Sequence, residues 1–149
     1  MTDRLRILIL CTGNSARSQM AEAYLNHFGE GRFEAESAGL EPGRLNPRVV
    51  QVMHEDGIDI SDNKTKSVFD MFKRGGLYSF VITVCDEASA EKCPIFPGAA
   101  KRLHWSFADP SSLSGTEEDK IRSTREIRDE IQSKVARWIE EIDSIDSLP

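Results

Sequence analysis

Leu5-Arg6-Ile7-Leu8-Ile9-Leu10-Cys11-Thr12-Gly13-Asn14-Ser15-Ala16-Arg17-Ser18-Gln19-Met20-Ala21-Glu22-Ala23-Tyr24-Leu25 is the stretch whose reading decides the fold. Its first part, Leu5 to Leu10, is an almost unbroken apolar run of Ile and Leu, the pattern of a strand covered on both faces of a parallel sheet. A short polar loop follows. Beyond it Met20, Ala21, Tyr24, Leu25 and Phe28 recur at helical spacing, with Gly29 as a stop.

The strand–loop–helix pattern repeats outward from there. Phe33 to Ala38 reads as a second strand ending at Gly39. Asn46-Pro47 has the form of an N-cap with proline in the first turn, and Val50, Met53 and Ile58 supply an apolar stripe. Ser67 to Lys73 reads as a helix that ends before Gly75-Gly76. Ser79 to Cys85 is a third strand, β-branched and apolar, and Pro94, Pro97 and Gly98 mark the loop beyond it. Lys101 to Phe107 is a fourth, short strand. Thr116 with Asp119 forms a capping box, Glu117 and Glu118 suit the positive helix end, and Ile121, Ile127, Ile131, Val135, Trp138 and Ile142 carry that helix to about Asp143. Alternating strands and helices predict an α/β fold: one domain over residues 1–149, with a four-stranded parallel sheet flanked by helices on both faces. Ligands of such sheets sit at the carboxyl ends of the strands, where Cys11, Cys85 and Asp109 are expected to converge.

Composition narrows the function. A formal net charge of −6 argues against nucleic acid and against anionic lipid as partners. No apolar run approaches the ~20 residues of a membrane span. Leu5 to Cys11 is too short for a secretory apolar region and leads into no cleavage pattern, so a cytoplasmic monomer is expected. The three cysteines, Cys11, Cys85 and Cys93, make an odd count that describes reactive or redox thiols rather than a disulfide framework. His27, His54 and His104 show no ligand-like pairing with them, so no metal is expected. Trp105 and Trp138 read as core aromatics, and Glu140 to Asp146 as a solvated helix end.

The chemistry concentrates between Cys11 and Ser18. Gly13 and Asn14 tolerate left-handed backbone, and a loop wound that way aims successive N–H groups into one concavity suited to a tetrahedral oxyanion. A helix starting near Arg17 adds its positive end. Thr12, Gly13, Asn14, Ser15, Ala16, Arg17 and Ser18 would then bind substrate, with the planar fork of Arg17 gripping two oxygens. Cys11 becomes the nucleophile, since the thiolate is the reactive form and helix N-termini favour it, while Ser15 or Ser18 can donate to the sulfur. The plain alternative is a buried packing cysteine. Asp109, beyond the fourth strand, suits a leaving-group acid or simply initiates an Asp-Pro turn.

Cys11-Thr12-Gly13-Asn14-Ser15-Ala16-Arg17-Ser18-Gln19-Met20-Ala21-Glu22-Ala23 resembles the active-site loop of the low-molecular-weight protein tyrosine phosphatase superfamily, and within it that of the thioredoxin-coupled arsenate reductases. The likeness continues through Glu36-Ser37-Ala38-Gly39, Val81 to Asp86, Cys93-Pro94, His104-Trp105 and Asp109-Pro110. It implies that arsenate is the substrate, with phosphate and sulfate as competing oxyanions. Phosphatase chemistry has no use for Cys85 and Cys93, whereas a reductase transfers electrons through successive thiol–disulfide exchanges. The resemblance thus implies a relay from Cys11 to Cys85 to Cys93, recycled by thioredoxin as external reductant, with glutaredoxin as another candidate. Ala16 departs from relatives with a cysteine there, and Ser111 stands where the tyrosine phosphatases carry aromatics. Asn14, Glu22, Ser37 and Thr65 match part of the potassium site of some such reductases, but Ser67 replaces its acidic ligand, which counts against potassium. The alternatives are a phosphatase working through a phosphocysteine and a phosphocarrier or anion-binding module. Asp109 argues against the last, because a carrier needs no leaving-group acid.

Overall fold

The structure, a computed structural model, describes residues 5–74, 77–84 and 101–146. Cys85 and Cys93, the Gly75-Gly76 stop and the Pro94, Pro97 and Gly98 loop lie outside the described residues.

The expected parallel sheet is present, in the order β2-β1-β3-β4. Strand β1 (Leu5–Cys11) occupies the interior, paired in parallel with β2 (Phe33–Gly39) on one side and β3 (Phe80–Thr83) on the other. Strand β4 (Lys101–His104) pairs in parallel with β3. Because successive side chains of a strand point to opposite faces, Ile7, Ile9 and Cys11 enter one core while Leu8 and Leu10 enter another. Helices α1 (Arg17–Phe28), α2 (Pro47–Glu55) and α4 (Glu117–Asp146) contribute to the first core. Helix α3 (Val68–Lys73) covers the second through Val68 and Met71. That arrangement explains the apolar run of β1: both of its faces are dry.

Several boundaries differ from the sequence reading. β4 ends at His104 rather than Phe107, although the Trp105 N–H still donates to the Thr83 carbonyl at 2.8 Å. The next residues leave the sheet, and the Phe107 carbonyl accepts from Arg17 instead. Val49, Val52 and Met53 form the buried face of α2, whereas Val50 and Ile58 are only half-buried. Phe28 stacks on Tyr24 at 5.4 Å between ring centroids but stays exposed. α4 reaches Asp146, and its Thr116/Asp119 capping box closes reciprocally at 3.1 Å in both directions. Within the first core Trp138 meets Trp105 edge-on, with centroids 5.8 Å apart, which ties α4 to the exit of β4.

Candidate active site

The loop between β1 and α1 is built by its carbonyls. Those of Cys11, Thr12, Gly13 and Ser15 accept from the N–H groups of Leu40, Glu41, Gly43 and Asn46, at 2.8–3.2 Å. The Asn14 carbonyl accepts from the Gln19 side chain at 3.0 Å. In a trans peptide the C=O and the following N–H point opposite ways, and cis bonds are absent among the described residues. The N–H groups of residues 12, 13, 14 and 16 are therefore turned away from the 40–46 segment, and that of Ser15 away from Gln19. Successive backbone amides turned to one side are the arrangement from which proteins build anion-binding concavities.

Asn14 makes the turn possible. Its φ of +53° is the left-handed value, and it is the one described non-glycine residue with positive φ. The expectation for Gly13 does not hold, since its φ lies outside that region. Asn14 is fully buried, and both ends of its amide are occupied. Nδ2 donates to Ser18 Oγ at 2.8 Å and Ser37 Oγ at 2.9 Å, while Oδ1 accepts from the Lys66 N–H at 2.9 Å. Ser37 in turn donates to Glu22 Oε1 at 3.2 Å. Burial raises the Glu22 carboxyl above its usual range, against the opposing pull of Lys66, whose ammonium lies 3.7 Å away, and of Ser37.

Gly39 is where the second strand yields to the loop. A Cβ there would stand 2.7 Å from the Thr12 carbonyl oxygen and 2.8 Å from the Asn14 nitrogen, distances real Cβ atoms do not show. Only glycine lets β2 end flush against the loop.

Cys11 is buried at the end of β1 with a free thiol. Helix α1 begins at Arg17, one residue past Ala16, and its N-terminus has no side-chain cap. Its first N–H groups and the positive end of its dipole lie at the loop. Arg17 is 8% exposed. One of its terminal nitrogens donates to the Phe107 carbonyl at 3.2 Å, and the other lies 3.7 Å from Asp109 Oδ2. Its Nε is buried without a hydrogen-bond partner among the described residues. A buried donor of that kind costs free energy unless something supplies an acceptor. Asp109 also caps a 3-10 turn (Pro110–Ser112), accepting from the Ser111 N–H at 2.9 Å and from the Ser112 hydroxyl at 3.3 Å. Arg17 and Asp109 thus stand 3.7 Å apart, and Cys11 ends the strand from which the loop to Arg17 departs. A cleft of about 730 Å³ beside it, between the exit of β4 and α4, is lined in part by Phe107 but by neither Cys11 nor Asp109.

The sequence matches the low molecular weight phosphotyrosine protein phosphatase family over residues 6–147. The chain belongs to that family. The arsenate reductase of Shouchella clausii is 42% identical over 135 residues, covering 90% of this chain and 94% of that protein. The arsenate reductase of Bacillus subtilis is likewise 42% identical, over 134 residues, with the same coverage. A solved arsenate reductase in its phosphate-binding state superposes with a TM-score of 0.75 at 27% identity, covering 93% of this chain and 98% of that one. A thioredoxin-dependent arsenate reductase of Corynebacterium glutamicum gives a TM-score of 0.72 at 29% identity, over 95% of this chain and 63% of the other.

Two residues packed around this loop make contacts that the sequence reading did not assign. Gln19 looked like a helix residue, yet it is fully buried and bonded to the loop. Asn46 was read as a cap, which it is for Arg48 N–H at 2.9 Å, but its Nδ2 also reaches Ser111 Oγ beside Asp109 at 3.4 Å. The partner of Asn46 lies 65 positions away, and Gln19, though only five positions from Asn14, is held in place by Asn63 and the Lys64 carbonyl, more than forty positions away. Of the residues matched to a potassium site, Asn14, Ser37 and Glu22 form one chain of hydrogen bonds, but the Thr65 hydroxyl turns to the Gly43 carbonyl at 2.7 Å. Lys66 supplies the positive charge beside Glu22.

Proposed function

We propose that this member of the phosphatase family is an arsenate reductase that works by a three-thiol relay. The observation that carries the oxyanion half is Arg17, buried next to the Cys11 loop with an Nε that has no partner among the described residues. The redox half rests on Cys85 and Cys93 in the sequence and on relatives 42% identical that bear the name arsenate reductase.

In this reading arsenate sits among the inward amides of residues 12 to 18, with Arg17 bridging two of its oxygens. The Cys11 thiolate attacks arsenic while Asp109, in its acid form, protonates the departing oxygen, and water leaves. The Cys85 thiolate next attacks the Cys11 sulfur. The sulfur–arsenic bond breaks with its electron pair on arsenic, releasing arsenite and leaving a Cys11–Cys85 disulfide. Cys93 attacks Cys85, returning the Cys11 thiolate and forming Cys85–Cys93, which the dithiol of thioredoxin reduces. Two thiols are oxidised for each arsenic reduced, so the electrons balance.

A single turnover of the fully reduced chain with arsenate tests the scheme. The expected result is one equivalent of arsenite and a Cys85–Cys93 linkage by disulfide mapping. Cys93→Ser should allow that one turnover, stop at Cys11–Cys85 and lose recycling by thioredoxin. Free thiols with no arsenite would sink the proposal. Brisk aryl-phosphate hydrolysis that Cys85→Ser leaves unchanged would establish a phosphatase instead.

A further inference from the structure

Resting on the oxyanion reading above, we infer that Gln19 is a positioning residue for anion capture, its carboxamide fixing the Asn14–Ser15 peptide so that the Ser15 N–H faces the bound oxyanion. Gln19 lies in the first turn of α1, fully buried. Its Nε2 has three acceptors within reach: the Asn14 carbonyl at 3.0 Å, Asn14 Oδ1 at 3.3 Å and the Lys64 carbonyl at 3.2 Å. Its Oε1 accepts from Asn63 Nδ2 at 3.1 Å. The carboxamide orientation is set by this pattern, with two N–H groups facing carbonyl-type oxygens and one oxygen facing an amide donor.

What sets Asn14 apart is its support. The carbonyls of Cys11, Thr12, Gly13 and Ser15 are held by main-chain donors, which mutation of side chains cannot remove. The Asn14 carbonyl is held by a side chain, at the one residue of the loop with left-handed backbone. That conformation is intrinsically costly, so this peptide is the loop plane with the most to gain by rotating. Rotation would turn the Ser15 N–H out of the concavity and put a carbonyl dipole toward the anion. Gln19 opposes it, and Asn63 and Lys64 hold Gln19. The 63–66 segment thereby sets the loop, since the Lys66 N–H also binds Asn14 Oδ1.

The test measures binding of inorganic phosphate to the full reduced chain, because phosphate occupies the site without turnover. Gln19→Met keeps length and burial but has no donor. Its phosphate affinity should fall about tenfold, the scale of losing one hydrogen bond to a charged group, with the same deficit from pH 5 to pH 8. Gln19→Glu should bind poorly at pH 8 and approach wild type toward pH 5, as its protonated carboxyl regains a donor. Asn63→Ala, a half-buried position, should lose a few-fold and keeps the inference testable if Gln19→Met does not fold. Unchanged affinity in folded Gln19→Met, or in Asn63→Ala if the first is unfolded, overturns the inference, as does a Gln19→Glu deficit independent of pH. A wild-type chain that binds neither phosphate nor arsenate overturns the proposed function as well, which separates the two failures.

Discussion

Single atoms decide whether the site exists at all, and Gly39 shows it most directly. It pairs with Cys11 across β1 and β2, and the loop backbone lies where its side chain would be. Gly39→Ala should therefore leave the sheet intact but push the Thr12–Asn14 backbone outward by a fraction of an ångström. Misplacement on that scale costs up to ~10²-fold in a reaction that depends on alignment. Arsenate turnover should fall by one to two orders of magnitude while the circular dichroism spectrum stays that of the wild type. A variant with wild-type turnover would show that the loop has room to spare. Arg17 could be picked out by its place six positions beyond Cys11, and Asp109 only as an acid or a turn initiator, of which the structure shows the turn. Gln19 could not, because a glutamine on a helix surface and a glutamine buried against a loop look alike along the chain.

The elements carry caps of two kinds. Thr116 caps α4 through an exposed reciprocal pair with Asp119. Asn46 caps α2 and also contacts Ser111, next to Asp109. Each substitution by Ala should lower stability by about 1 kcal/mol, the usual worth of such a cap. They should part company in activity: Thr116→Ala keeps wild-type turnover, and Asn46→Ala slows it several-fold. Thermal melts beside arsenate assays on both variants check this, and equal turnover in the two would remove Asn46 from the site. The caps themselves could be read from sequence, since Asn-Pro and Thr-x-x-Asp act within one helical turn. The end of β4 could not. Sequence extended it to Phe107, but the Phe107 carbonyl is taken by Arg17, ninety positions away, and that competition ends the strand.

At the scale of the whole molecule, buried tyrosines tie the helices and sheet together and set an alkaline limit. Burial and the neighbouring Glu36 push the Tyr78 phenol up to about 12, and burial with Asp56 raises Tyr24 still further. Tyr78 OH donates to Glu36 at 2.9 Å and Tyr24 OH to Asp56 at 2.6 Å. In the unfolded chain both phenols lose their protons near pH 10. Between pH 10 and 12 the unfolded state then binds fewer protons than the folded one, so stability falls as pH rises. The melting temperature should be insensitive to these groups below pH 9 and drop steeply above 10. Tyr78→Phe should flatten that drop while losing some stability at neutral pH. An identical alkaline slope in the variant would assign the limit to other groups.

The sequence by itself determined the parallel sheet and the strand–loop–helix unit around Cys11, with an arginine six positions beyond the thiol. These depend on periodicity, caps and backbone tolerance, forces that act over a few neighbouring residues. Tertiary structure alone decided the strand order, the removal of Gly13 from the left-handed turn, and the enrolment of Gln19, Asn46 and Lys66 around the loop. The reason is hydrogen-bond accounting. Each buried carbonyl of the loop needs a partner, and apart from Gln19 the chain supplies those partners from the 40–46 segment, whose distance in sequence hides them.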